Sequence, residues 1–241
     1  MIYLSRLILN TRNPQVRRDL GDCHQLHRTV LRAFPQSPDG IQARKHFGLL
    51  YRAEAFARDP LLARMLVQSA VAPDWSQLPA GYLAPLSDVR GNPAVRLVDD
   101  EYAQIQAGMQ LIFRLRANPT KRISDRTAGR ENKLLGKRVA LLREEDQLAW
   151  LERKGQSHGF RLLATAVQPE LPDIRVTALE QTRGRRPVRG DDSSLPLSFG
   201  AALFEGCIEV TDRTAFLATL RAGLGSGKAF GFGLLSVAAR Q

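Results

Sequence analysis

The chain has 241 residues, of which 44% are hydrophobic and 24% charged, a balance that fits a folded globular protein and excludes a disordered one. Lysine and arginine number 35 against 24 acidic residues, and the resulting net charge of +11 points to a polyanionic partner, either nucleic acid or an anionic membrane surface. No apolar run is long enough to span a bilayer, MIYLSRLIL is too short and interrupted for a signal peptide, and the two cysteines, Cys23 and Cys207, offer neither a disulfide framework nor a Cys-x-x-Cys zinc site, so a cytoplasmic location is expected.

Residues 2–9, IYLSRLIL, alternate well enough for a strand. LGDCHQL then offers a helix start, with Asp22 as N-cap and Gln25 three positions on in capping-box spacing. Leu26, Val30, Ala33 and Phe34 follow on one face, and Pro35 and Pro38 close the helix. Residues 47–55 and 64–70 read as the next two strands, 74–78 as a short helix or turn, and 94–98 as the strand that completes the unit. That order, β-α-β-β-α-β, is the ferredoxin-like plan.

A second round follows. Residues 109–118 predict a strand, and a basic, glycine-containing loop runs from there to about Arg138. Residues 144–155 predict a helix with Leu148, Trp150 and Leu151 on its apolar side and Gly155 as C-cap. A strand is expected over 160–168, and two long strands, IRVTALEQ and LSFGAALFEGCIEV, flank a hydrophilic tip. A helix over 212–223, capped by Asp212 or Thr211, and a last strand over 229–239 end the chain. The expectation is an α+β protein of two tandem ferredoxin-like (βαββαβ) domains, 1–104 and 105–241, joined near residues 102–108.

Three features combine into a resemblance. They are LHR at the start of the first helix, FRLRANPTKR (113–122) followed by GKRVALL (136–142) and AWLERK (149–154), and the terminal GLGSGKAFGFG (223–233). Together they resemble the CasE family, the repeat-processing endoribonucleases of type I-E CRISPR systems, which belong to the RAMP group with two ferredoxin-like folds. The resemblance implies a metal-independent endoribonuclease with no cofactor. Such an enzyme cuts CRISPR precursor RNA at the base of the repeat stem-loop and leaves a 2′,3′-cyclic phosphate and a 5′-OH. The implied partners are the repeat hairpin, the mature crRNA and the other subunits of the Cascade complex. No membrane partner is expected, and the chain alone is expected to be a monomer. The competing reading is an architectural subunit of the same fold that binds the RNA hairpin without cutting it.

Cleavage of RNA by its own 2′-OH needs one group to take that proton, one to protonate the leaving 5′-oxygen, and positive charge near the phosphorane. Histidine suits the first two roles because its ordinary pKa is near 6.5. His24 and His27 are three positions apart, hence on one helix face. They lie in the first turns, where free backbone N–H groups and the dipole favour an anion. His27 matches the family's catalytic histidine. The family often has tyrosine where His24 stands, so His24 either takes over that role or only fills the place. Arg32 falls where the family has a basic residue that stabilises the phosphorane. A metal site made of Cys23, His24 and His27 is a poor alternative, since Cys23 points about 100° around the helix from His24 and no further ligands cluster nearby. His46 and His158 stand alone and receive no role.

Residues 121–138 hold seven Lys or Arg against two acids, and TRGRRPVRG (182–190) holds four arginines. Two such runs in one basic chain favour a nucleic-acid surface over a pair of merely solvated loops. The candidates are Lys121, Arg122, Lys137 and Arg138 in the first run and Arg183, Arg185 and Arg186 in the second, which reads as a β-hairpin tip that related proteins push into an RNA groove. The glycine segment is not a nucleotide-binding loop, because Ala222 and Ala229 stand at positions such a loop needs for Gly and Ser or Thr. Gly223, Gly225, Gly231 and Gly233 serve close backbone approach, either packing the last strand on the first helix or meeting RNA. Lys228 is a phosphate-contact candidate.

Overall fold

The computed structural model describes residues 1–241 except 38–42, 57–58, 86–90, 124–135, 166, 189, 192 and 241. The first half contains β1 (Tyr3–Asn10), α1 (Pro14–Gly21), α2 (Cys23–Leu31), α3 (Ala43–His46), β2 (Leu50–Ala55), β3 (Leu62–Ser69) and β4 (Ala94–Leu97). Its strands form one antiparallel sheet in the order β2-β3-β1-β4, the ferredoxin-like arrangement. Leu7 and Leu9 alternate onto the buried face of β1 and meet Leu26, Val30 and Phe34 of α2 and its exit turn in one core.

This half departs from the sequence expectation at its first helix. A helix, α1, precedes the expected one: Asn13 caps it by accepting from the Gln15 N–H at 2.9 Å, and Pro14 stands in its first turn, where a missing N–H costs nothing. Asp22, with extended backbone angles, ends α1 and begins α2. The short helix or turn expected over 74–78 is the 3-10 turn Trp75–Gln77, which stops there because Pro79 forces Leu78 into extended backbone. Trp75 covers the core there, donating from Nε1 to Ser5 Oγ at 3.0 Å.

After α4 (Asp99–Ala103) come β5 (Gln110–Ala117), the small hairpin β6 (Thr120–Arg122) and β7 (Arg138–Ala140), α5 (Glu144–His158), β8 (Phe160–Leu162), β9 (Ile174–Pro187), β10 (Ser194–Val210), α6 (Arg213–Ala222) and β11 (Leu235–Ala239). The sheet order β11-β5-β10-β8 repeats the first half's plan, with β9 added along β10. α5 runs past the expected stop at Gly155 and ends at Gly159, whose φ of +76° is the left-handed C-cap conformation. Gly155 lies inside the helix because a Cβ there would sit 2.5 Å from the Phe160 carbonyl oxygen. The strand expected over 160–168 shrinks to Phe160–Leu162, and the last strand starts at Leu235, since positive φ at Gly231 and Gly233 breaks the ladder before it.

The RLRANP motif fastens the halves together. Arg52 on β2 donates from Nη1 to the carbonyls of Arg114 and Leu234, both at 3.1 Å. Glu54 takes Arg52, Arg64 and Arg114, each at 2.8 Å. Burial pushes the Glu54 carboxyl up, but the three guanidinium groups outweigh it and hold the pKa below its ordinary value. Arg116 donates to Ala53 O at 3.3 Å and to Thr182 Oγ1 at 2.9 Å, and lies 5.1 Å over the Phe232 ring. Tyr51 donates to Ala229 O at 2.8 Å. Among the described residues no helix is long and apolar enough to cross a membrane.

Candidate active site

The site is built around the first two turns of α2. Asp22 accepts from the His24 and Gln25 N–H groups at 2.9 and 3.2 Å, which fixes where the helix begins. His27 faces the second half of the chain. Its ring stacks against Tyr51 at 6.4 Å between centroids and meets the edge of Phe230 at 6.2 Å. Burial lowers its pKa to about 4, with His24 and Arg44 adding to the shift. The imidazole is therefore neutral at neutral pH. The pKa of His24 is also lowered, chiefly by burial, with Arg28 and Arg186 acting in the same direction and Asp22 against them. Both rings have Nδ1 buried and without a hydrogen-bond partner.

Cys23 is buried beside them, and its thiol is pushed up to about 11 by burial and then by Asp22, the signature of an inert packing thiol. Cys23 and Cys207 are both free. A cleft of about 900 Å³ opens between the two halves, lined among others by Cys23, Tyr51, Arg116, Arg183 and Phe230.

Of the predicted residues, the structure brings His24, His27, Arg186, Lys228 and the glycine segment together. The 3-10 turn Lys228–Phe230 packs on α2 and β2. Gly231, at φ +83°, would place a Cβ 3.3 Å from the Tyr51 ring, and Gly223 would meet Leu50 at 2.7 Å. Gly225 faces Trp150, and a Cβ on Gly233 would lie 2.7 Å from the Leu224 carbonyl oxygen. The segment is thus the packing that brings Phe230 over His27. Lys228 donates to Ala222 O at 2.8 Å, and burial, with Arg44 and Lys154 nearby, lowers its pKa.

Arg32 is the exception. It is the exposed C-cap of α2, five positions and thus about 140° around the helix from His27, and its charge registers on Tyr82 instead of on either histidine. The cation that reaches His27 is Arg44 of α3, which nothing in the sequence sets apart from the unassigned His46 beside it. Tyr51 carries no sequence signal either and meets the histidine within the first half's own packing, whereas Phe230, unassigned inside the glycine segment, reaches it through the packing of one half on the other.

The second basic run is the hairpin of β9 and β10. Arg183, Arg185 and Arg186 are exposed on β9, and Arg186 is near enough to His24 to depress its pKa. Lys121, Arg122, Lys137 and Arg138 are exposed on the β6–β7 hairpin, where Arg122 pairs with Arg138. Residues 124–135 of the first run and Arg189 lie outside the described residues.

A family model described as "CRISPR associated protein" matches residues 2–239. CRISPR-associated endoribonuclease Cse3 of Thermus thermophilus is 38% identical over 237 residues, 98% of this chain and 100% of that one. The CRISPR system Cascade subunit CasE of Escherichia coli is 30% identical over 241 residues, 98% of this chain and 99% of its own. The structure of Thermus thermophilus Cse3 bound to an RNA representing a pre-cleavage complex superposes with a TM-score of 0.70 at 37% identity, covering 98% of both chains.

Proposed function

The chain belongs to the CRISPR-associated protein family, in the branch of the Cse3 and CasE proteins, and from that premise we propose that it is a metal-independent endoribonuclease that cuts CRISPR precursor RNA at the base of the repeat stem-loop. The observation that carries the proposal is a neutral His27 beside His24 at the capped start of α2, with a basic hairpin from the other half of the chain lying across it.

In this reading His27 takes the proton of the 2′-OH upstream of the scissile bond. The 2′-oxygen attacks the adjacent phosphorus, the P–O5′ bond breaks, and the leaving 5′-oxygen receives a proton from His24. The products carry a 2′,3′-cyclic phosphate and a 5′-OH. A phosphate beside the helix start meets the positive end of the dipole, and its charge raises the His24 pKa toward the protonated form that a donor needs. Arg44 supplies positive charge beside His27, with Lys228 near Arg44 and Arg32 on the exposed end of the helix. Arg183, Arg185 and Arg186, together with Lys121, Arg122, Lys137 and Arg138, grip the stem through phosphates and groove edges. The cut RNA stays bound, and the protein remains on the crRNA as a Cascade subunit, as the name of the Escherichia coli relative suggests.

The test is incubation of the purified chain with its repeat hairpin in EDTA. One discrete cut, a cyclic phosphate on the upstream piece, and full protection by a single 2′-deoxy nucleotide before the scissile bond are expected. Normal cutting of the deoxy substrate would mean an activated water in place of the 2′-OH. Tight binding with no cut would leave an architectural subunit.

A further inference from the structure

The Asp22 carboxylate has two oxygens with two different jobs. Oδ1 caps α2 through the His24 and Gln25 N–H groups. Oδ2 accepts the backbone N–H of Arg185 at 3.2 Å, from a strand 163 residues further along the chain. At the adjoining position β9 has Gly184, where a Cβ would lie 2.7 Å from Asp22 Oδ1, 2.8 Å from Cys23 Sγ and 3.1 Å from the His24 nitrogen. Only a glycine lets the strand come this close. The crossing point is therefore an acceptor on the helix that carries the histidines, matched to a missing side chain on the hairpin that carries Arg183, Arg185 and Arg186.

We infer that Asp22 is a positioning residue for RNA cleavage: its Oδ2 bond to the Arg185 N–H, admitted by Gly184, fixes the distance between the RNA-gripping hairpin and the histidines of α2. This rests on the endoribonuclease reading. RNA held by β9 is presented to His24 and His27 in a set register, and loosening the bond leaves the grip intact while the scissile phosphate drifts off the histidines. Misplacement by about 1 Å can cost about a hundredfold in rate.

The Asp22→Asn variant isolates the effect. Asparagine caps a helix as well as aspartate does, so the start of α2 is kept. Its single oxygen serves the cap, and the amide nitrogen that replaces Oδ2 cannot accept from Arg185. Single-turnover cutting of the repeat hairpin is expected to fall about ten- to a hundredfold, with hairpin Kd within about threefold and the melting temperature unchanged. Gly184→Ala, which pushes the strand off the helix by a different route, is expected to show the same split between rate and Kd. The double variant is expected to be little worse than either single one, because both break one junction.

The pH profile adds a readout that a packing role would not move. The groups facing His24 are Asp22, His27 and Arg28 from its own helix and Arg186 from β9. Asp22 alone among them raises its pKa, so neutralising it shifts the limb due to a protonated His24 to lower pH. Asp22→Asn cutting at the unmodified rate overturns the inference, as does a loss of affinity equal to the loss of rate. An unmodified chain that binds the hairpin without cutting it overturns the endoribonuclease reading itself, and this inference falls with it.

Discussion

The two halves share one strand order and have diverged in what they add to it. The first half gives up its second helix for the 3-10 turn at Trp75 and breaks the segment after β1 into two helices at Asp22. The second keeps both helices and lengthens its sheet with β9, whose exposed arginines reach beyond the core. The break at Asp22 creates a fresh helix start with two histidines in its first turns. The extra strand creates a basic hairpin that crosses that start. In the proposed reading chemistry lies in one copy of the fold and grip in the other, and neither half contains the whole proposed site. His27 is completed by Phe230, and the α2 cap by Arg185, both from the second half.

That division can be broken most strongly from the first half. His27→Ala is expected to lower the cutting rate by about 10²- to 10⁴-fold, the usual worth of a general acid or base, while hairpin affinity stays within a few fold. Single-turnover kinetics alongside a filter-binding titration measures both. A parallel loss of affinity would mean that α2 grips as well as cuts.

The converse change is made in the second half. Replacing Arg183, Arg185 and Arg186 together by Ala is expected to cost about a hundredfold in hairpin affinity and much less on unstructured RNA. The slope of log K against log salt should become shallower by about 0.7 to 0.9 for each phosphate that is no longer neutralised. Equal losses on both RNAs would show that the hairpin supplies charge without reading shape.

A third change separates stability from grip. His27 has a folded-state pKa of about 4 against an unfolded value near 6.5, so between these values the unfolded chain binds more protons and stability falls as pH falls. From pH 7 to pH 5 the loss attributable to this ring is about 2 kcal/mol. Urea unfolding at the two pH values should show it, and His27→Gln should remove it. An undiminished loss in that variant would place the acid sensitivity elsewhere.

The smallest expected effect sharpens the roles within the pair. His24→Ala should cut about tenfold more slowly and lose one limb of a bell-shaped pH–rate profile, and His24→Tyr should regain much of the rate, since a phenol can also donate to the phosphate. An Ala variant with both limbs and full rate would leave His27 as the one proton-transfer group of the pair.

The repeated strand order, the apolar stripe of α2, its cap at Asp22 and the histidines just inside it are all legible in the chain of residues. These are local facts, set by period-2 and period-3.6 patterning and by the N-cap preference of a short acceptor side chain. Where local signals compete, the sequence misleads. Gly155 has the composition of a helix end, but its contact with Phe160 needs a glycine in mid-helix, and the stop falls at Gly159. GLGSGKAFGFG is legible as close packing, but its partners, Leu50 and Tyr51, are not. Tertiary packing alone settles which cation reaches His27, that Phe230 and Tyr51 enclose it, and that Gly184 lets β9 lie on the start of α2. Each of these joins residues far apart in the chain, and no periodicity encodes such a meeting. It follows from the way one half's sheet is fastened to the other through Arg52, Glu54, Arg114 and Arg116, which sets where every side chain at the junction comes to rest.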